Sequence, residues 1–316
     1  MQTMKFAEYD LSKLMLGTVQ FGLDYGISNN NGRPNSQRVR DILKCAMEYG
    51  INCLDTARSY GISEEAIRDA LFELKASDNF TVFTKIVHIG NEYNSKDVPD
   101  VVRQSVLNSI ETLGLDSLPM CMFHLEGDSK YIDSLVCLKN EGLVKHIGVS
   151  VETAEAAKHI VESALVEAIQ APVSMLDRRF LDSGVLQAAH KRGVAVFARS
   201  VYLQGLILMD KADIPDYLSE VTPIIKSLKH LAVQAEMSLA EMAVRYVLGL
   251  DGVSALVMGV LDADQMRQDS MLVSKGPLDP VLIRTINEIV PSLSEEILLP
   301  GRWITLRARS MQTTSK

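Results

Sequence analysis

Apolar residues along this chain fall into two alternating patterns, short runs bounded by turn or polar residues and amphipathic segments of helical length. The runs are LMLGT (14–18), INCLDT (51–56), TVFTKI (81–86), PMCMFHL (119–125), HIGVSV (146–151), VEAIQAP (166–172), AVFARSV (195–201) and SALVMGV (254–260). Runs this short with few polar breaks are expected of parallel strands buried on both faces. Between them, NSQRVRDILKCAMEYG opens on an Asn/Ser cap signal, closes at Gly50, and sets Val39, Ile42, Leu43 and Ala46 on one face. SEEAIRDALFEL opens with Ser63 and two acids that suit the positive end of a helix dipole. VPDVVRQSVLNSIETLGLD, YIDSLVCLKNEGL, TAEAAKHIVES and SGVLQAAHKRG follow the same grammar, and TPIIKSLKHLAVQAE and SLAEMAVRYVLGL supply two helices between the last two runs.

Eight β-α repeats predict an α/β fold, a (β/α)8 TIM barrel, rather than an open doubly wound sheet. Residues 1–316 read as one domain, with about 300–316 as a polar, basic tail that ends in a loop or frays.

Composition narrows the function. A hydrophobic content of 47% over 316 residues can bury a large core, and a net charge of −8 argues against a nucleic-acid surface. No apolar run of about 18 residues predicts a membrane span, and MQTMKFAEYDLSK is too polar for a signal peptide, so a cytoplasmic protein is expected. Cys45, Cys53, Cys121 and Cys137 form no CxxC pair and lie in apolar segments, so they read as reduced core thiols with no metal role.

In such a barrel, chemistry belongs at the C-terminal ends of the strands. The second run ends in Asp55 with Tyr60 beyond it, the third in Lys85, and the fourth in His124. Each alone has a bland explanation: a turn cap, a loop anchor, a snorkelling lysine, a hydrogen-bonded core histidine. Together they form a plausible acid–base set. A buried lysine needs a carboxylate, which Asp55 can supply, and Lys85 is then expected to lower the pKa of Tyr60 into a usable range.

DTARSYG, FTKI and MFHL resemble the Asp, Tyr, Lys and His positions of the aldo-keto reductase superfamily, and the likeness extends through LMLGTVQFG and GLVKHIGVSV. The resemblance implies a barrel that binds a nicotinamide cofactor without a Rossmann domain, in keeping with the absence of a GxGxxG after any run. It also implies reduction of an aldehyde or ketone to an alcohol, with Tyr60 as proton donor, His124 orienting the carbonyl, and Asp55 holding Lys85. A small-molecule carbonyl or alcohol is the expected partner, and the chain is expected to be a monomer or weak homo-oligomer. The cofactor groove implied by the resemblance comprises Gly17, Thr18, Asp55, Ser150, Gln170, Arg199, Ser200, Gln204, Gly205, Gly259, Val260, Gln268 and Asp269.

Three departures from the family pattern stand out. Val151 follows Ser150 where the family has Asn, so one carboxamide contact is missing. Arg199 stands where an aromatic usually stacks on the nicotinamide, and a cation there suits an oxidised nicotinamide poorly. After the eighth run, Asp262 and Asp264 stand near Arg267, and acids near the ribose would disfavour a 2′-phosphate. Family precedent places NADP(H) slightly ahead of NAD(H). QAPVSMLDRRF and ARSVYLQGLILM resemble a bacterial branch associated with surface-polysaccharide or sugar metabolism, which suggests a sugar-like carbonyl. Phe21, Tyr25, Arg58, Glu126 and Tyr202 are candidates for the substrate side.

Other readings of the same barrel are weaker. A glycoside hydrolase needs paired carboxylates, and the seventh run ends in Arg199 and Ser200. A metal-dependent hydrolase lacks an HxH motif or clustered ligands. A cofactor-binding regulatory or assembly subunit with little turnover would have no use for the acid–base set.

Overall fold

The computed structural model describes residues 1–27, 29, 32–306 and 308. The chain starts with an antiparallel hairpin, β1 (Thr3–Phe6) and β2 (Tyr9–Ser12), which turns at Ala7 in the left-handed region. Eight parallel strands follow: β3 (Leu14–Gly17), β4 (Cys53–Asp55), β5 (Thr81–Lys85), β6 (Leu118–Phe123), β7 (Val144–Ser150), β8 (Ala168–Pro172), β9 (Ala195–Arg199) and β10 (Ala255–Gly259). They close into a barrel in sequence order, with Leu256 to Gly259 of β10 paired to Leu14 to Gly17 of β3. Each apolar run of the sequence coincides with one of these strands, although β6 and β7 begin one and two residues before their runs.

Side chains alternate across each strand and so divide the core. One set packs against the surrounding helices. The other fills the barrel, including Met15, Cys53, Phe83, Met120, Met122, Phe197 and Val257, with Phe6 and Leu11 of the hairpin. The Phe6 ring meets Phe83, His146 and Phe197 at 5.8, 5.3 and 5.7 Å. The hairpin is thus a plug in the N-terminal mouth, which leaves the opposite mouth for a cavity.

The helices begin where local chemistry allows. Asn35 accepts from the Arg38 amide to cap Ser36–Glu48, Thr153 caps Ala154–Glu162, and Ser238 caps Leu239–Leu248. Ser63 is not a cap; it is the first residue of Ser63–Leu74, and its hydroxyl is used elsewhere. Nor does the segment after Pro300 fray at once: Trp303 is buried and donates its indole N–H to the Ile297 carbonyl. The remainder of the expected tail, residue 307 and residues 309–316, lies outside the described residues. Cys45, Cys53 and Cys121 are buried free thiols, and burial pushes the Cys53 and Cys121 thiols up; Cys137 is exposed, contrary to its expected place in the core. Among the described residues, no helix is long and apolar enough to cross a membrane, and no group of three or more His, Cys, Asp or Glu could hold a metal ion.

Candidate active site

A cavity of about 590 Å³ opens at the C-terminal mouth of the barrel. Its base is organised by backbone hydrogen bonds that continue the sheet beyond the strands. Thr56 N donates to Phe83 O, Arg58 N to Lys85 O, and Thr18 N and Oγ1 both to Asp55 O. Ser63 Oγ donates to Thr18 O and receives from Thr56 Oγ1, tying the ends of β3 and β4 to one helix start. Gly22 lies against the loop that carries Tyr60. A Cβ at this position would fall 1.6 Å from the Tyr60 carbonyl oxygen, so only glycine lets the two segments meet.

Lys85 lies beneath the cavity rather than on its wall, 1% exposed, with Nζ 2.7 and 2.8 Å from the two Asp55 oxygens and 3.0 Å from Thr56 O. Asp55 also accepts from Gln170 Nε2 at 2.8 Å, which commits one proton of the amide expected to hold a nicotinamide. Burial alone would push the Lys85 ammonium down, but Asp55 and Tyr60 outweigh it and hold it above its ordinary range. The Lys85 ammonium lies 5.2 Å from the Tyr60 ring centroid, and Tyr60 and His124 meet edge to face at 5.4 Å.

The expected lowering of the Tyr60 pKa is only half the balance. Burial raises the phenol, and although Lys85 and Arg199 pull it down, the net shift is upward. The Tyr60 phenol is therefore protonated at neutral pH, as desolvation of the phenolate dictates. Burial, Lys85 and Arg199 together push His124 down to about 3, so its imidazole is neutral. Its Nδ1 is buried without a protein partner, as is Gln20 Oε1 on the same cavity.

Most residues expected in the groove line this cavity: Gly17, Thr18, Asp55, Ser150, Gln170, Arg199, Ser200, Gln204, Gly205, Gly259, Gln268 and Asp269. Tyr25 and Tyr202 line it too. The other four lie elsewhere. Val260 and Phe21 are buried at 1% exposure in the core. Arg58 turns to Glu64 and Thr112. Glu126 accepts from the amides of Glu152 and Thr153 and from Thr153 Oγ1, so it orders the start of a helix. Asp262 caps the helix Ala263–Ser274 and Asp264 pairs with Arg267, which removes both acids from the cavity wall. In their place Asp269, pushed up to about 7 by burial, accepts from Tyr202 at 3.0 Å.

Sequence reasoning missed Gln20, Glu152, Leu208 and Gln265 on the cavity wall. Gln20 had a signal of a kind: Gly259 has no Cβ, and one there would collide with the Gln20 amide at 2.4 Å. The loop after β9 holds Ser200, Leu203 and Gln204 in the left-handed region, a strained segment of the sort found at ligand sites. Gln204 Nε2 reaches the Tyr25 hydroxyl at 3.1 Å from this loop.

Comparison with known proteins gives the family and the fold. The sequence matches the Aldo/keto reductase family over residues 13–291. It is 31% identical over 163 residues to an uncharacterized oxidoreductase of Schizosaccharomyces pombe, a match spanning 48% of this chain and about half, 51%, of that protein. It is 24% identical to the NADH-specific methylglyoxal reductase of Escherichia coli over 88% of this chain and 95% of the relative. The holo form of the aldo-keto reductase AKR11C1 from Bacillus halodurans shares the fold, with a TM-score of 0.75 at 21% identity over 94% of this chain and 99% of that one. The chain belongs to the Aldo/keto reductase family of NAD(P)H-dependent oxidoreductases.

Proposed function

We propose that this protein reduces a small hydroxylated aldehyde or ketone with Tyr60 as the proton donor, and that it prefers NAD(H). The observation that carries the catalytic reading is the buried Asp55–Lys85 pair set beside a protonated Tyr60 and a neutral His124 on one cavity. A bound reduced nicotinamide supplies the hydride. The chain's own residues handle the oxygen. His124 donates a hydrogen bond that fixes the carbonyl, and Tyr60 delivers a proton as negative charge develops on that oxygen. Lys85, held in place by Asp55, stabilises the phenolate left behind. Water is kept from the base of the site by the closed barrel beneath it.

The groove supports a dinucleotide on two grounds. Gln20 Oε1 and His124 Nδ1 are buried polar atoms in need of a partner, and buried polar groups rarely go unpaired. Gly259 leaves open backbone beside Gln20. Family precedent favours NADP(H), but among the described residues Arg199 is the only Lys or Arg lining the cavity. Among the described residues, no Lys or Arg lines the cavity beside Gln265, Gln268 and Asp269, and Arg267 of the same helix pairs with Asp264, whereas a free ribose hydroxyl could donate to a carboxylate there. The Escherichia coli relative is NADH-specific, which supports the same preference. Tyr25, Glu152 and Gln204 give the cavity polar groups suited to substrate hydroxyls, the chemistry of a sugar-like carbonyl.

Fluorescence titration of the full chain with NADH and NADPH, followed by turnover on short aldehydes and aldoses, tests the reading. Tight NADH binding with turnover is expected. Tighter NADPH binding overturns the cofactor preference, and binding of neither overturns the catalytic reading.

A further inference from the structure

We infer that Arg199, with Glu152 as its loose counter-charge, makes the site select the reduced cofactor over the oxidised one. The inference rests on the carbonyl-reductase reading above and deepens it. Arg199 ends β9, and its guanidinium reaches past the end of β8 to the residue after β7, where Nη2 donates to Val151 O at 3.1 Å. Nη1 lies 3.4 Å from Ser200 Oγ, and Glu152 Oε1 lies 3.9 Å from Nη2. These contacts fix the charge beside Ser150 and Gln170, which line the same cavity.

The two cations of the site are balanced differently. Lys85 is clasped by both Asp55 oxygens under 3 Å and both groups are buried, so its charge is closely matched. Glu152 is at the limit of ion-pair distance and 48% exposed, so solvent shares it and the guanidinium keeps much of its field. That field reaches both groups that must flank the reacting carbonyl, since Arg199 pulls down the pKa of Tyr60 and of His124. Any ring that passes a hydride to a carbonyl held there lies within the same field. A reduced nicotinamide ring is neutral and an oxidised one carries a positive charge. Like charges about 5 Å apart in a partly solvated site repel enough to shift the binding ratio by roughly tenfold. An aromatic side chain in the place of Arg199 imposes no such bias. The oxidised product therefore leaves readily, and a mixed cofactor pool loads the site for reduction.

Calorimetric titration of the full chain with NADH and with NAD+ gives the ratio of dissociation constants, independent of turnover. Wild type is expected to bind NADH at least tenfold more tightly. Arg199→Met should lose most of that preference, mainly by binding NAD+ more tightly. Arg199→Lys should keep the preference, and Glu152→Gln should widen it by a few fold. If NADPH is the dinucleotide that binds, the same ratio is read with NADPH and NADP+. A wild-type ratio near one, or a ratio unchanged in Arg199→Met, overturns the inference while leaving the reductase reading intact. Wild type that binds no dinucleotide overturns both. Thermal unfolding of each variant separates lost charge from lost fold, and should Arg199→Met not fold, a Glu152→Gln ratio equal to wild type overturns the inference.

Discussion

At each mouth of the barrel a tyrosine ring meets a histidine nearly at right angles, with a lysine ammonium over the tyrosine. At the C-terminal mouth the set is Tyr60, His124 and Lys85; at the N-terminal mouth it is Tyr9, His146 and Lys145. Ring separations are 5.4 and 6.0 Å, and interplanar angles are 84° and 82°. The residue types and their geometry are thus nearly matched, and the surroundings are not. Lys85 is buried and locked to Asp55, whereas Lys145 is exposed. Burial raises both phenols, but Lys85 and Arg199 oppose it at Tyr60, while Glu8 adds to it and pushes Tyr9 up to about 12. His146 Nε2 is engaged by Glu8 at 2.8 Å, and the Nδ1 atoms of both histidines are buried without a protein partner. Tyr60 and His124 line the cavity, with Lys85 beneath them, whereas Tyr9, His146 and Lys145 lie off it. A cluster of chemically able side chains becomes a candidate site through desolvation, a fixed counter-charge and room for a ligand.

The largest expected effect tests this directly. Tyr60→Phe should lower carbonyl reduction by roughly 10³-fold with the dinucleotide affinity kept, as loss of a general acid predicts. Tyr9→Phe should stay within about twofold of wild type. Steady-state rates on one aldehyde decide it, and similar losses at the two mouths would erase the distinction. The pH profile sharpens it further. On the proposed mechanism reduction needs a protonated Tyr60, whose folded pKa is raised from 10.0, so the rate should hold through pH 9 and fall only beyond pH 10. His124, depressed to about 3, should add no limb near pH 6.5.

The lower mouth should fail in stability rather than in rate. Phe6→Ala removes a ring that touches Phe83, His146 and Phe197 inside the barrel. A loss of about 3–5 kcal/mol on urea unfolding is expected, with kcat/KM unchanged below the transition. A large kcat/KM change without loss of stability would mean the two mouths are coupled through the barrel.

This division explains what could be read from the sequence. The eight strands were legible because parallel strands buried on both faces leave short apolar runs, and the Asp55, Lys85 and His124 positions followed from where those runs end. The plug was not legible. Its strands have four residues each, alternate apolar with polar or charged residues, and depend on a barrel interior formed by residues far along the chain. Glu126 and Arg58 looked like site residues because they follow strand ends. Their side chains instead satisfy Thr153 and Glu64, a choice made by tertiary neighbours about 27 and 6 positions away. The direction of the Tyr60 shift was also beyond sequence reasoning, because burial and Lys85 act in opposite senses and only the packed structure shows which prevails.

A third difference lies in how the mouths respond to pH. Asp269 sits at the upper mouth with a folded pKa raised from 3.8 to about 7 by burial, only partly relieved by Tyr202. The folded state therefore holds this proton more tightly than the unfolded chain, and the associated stability is full below pH 3.8 and is lost as pH rises to 7. Asp269→Asn should gain about 2 kcal/mol at pH 8 and little near pH 4, read by denaturant midpoints at the two values. A gain of equal size at both would assign the effect to packing instead of charge.

The smallest effect belongs to the pair that makes the lower histidine look most like a catalytic one. Glu8 lies 2.8 Å from His146 Nε2, yet its side chain is 52% exposed. Burial is the largest single influence and pushes its carboxyl up, but its backbone hydrogen bond, His146 and Tyr9 together outweigh that and leave the pKa lowered. The stabilisation is thus present above the usual carboxylate pKa of 4.5 and lost as pH falls through the folded value. Because solvent screens an exposed pair, Glu8→Gln should cost less than about 1 kcal/mol near neutral pH and leave the reduction rate untouched. A similar neutralisation at the upper mouth, Asp55→Asn, strips the buried Lys85 of its carboxylate and should cost several times more, about 3–5 kcal/mol. Measured side by side by urea unfolding, the two variants weigh the same kind of change in two environments. Equal costs would mean that burial of the Asp55–Lys85 pair does not set the mouths apart.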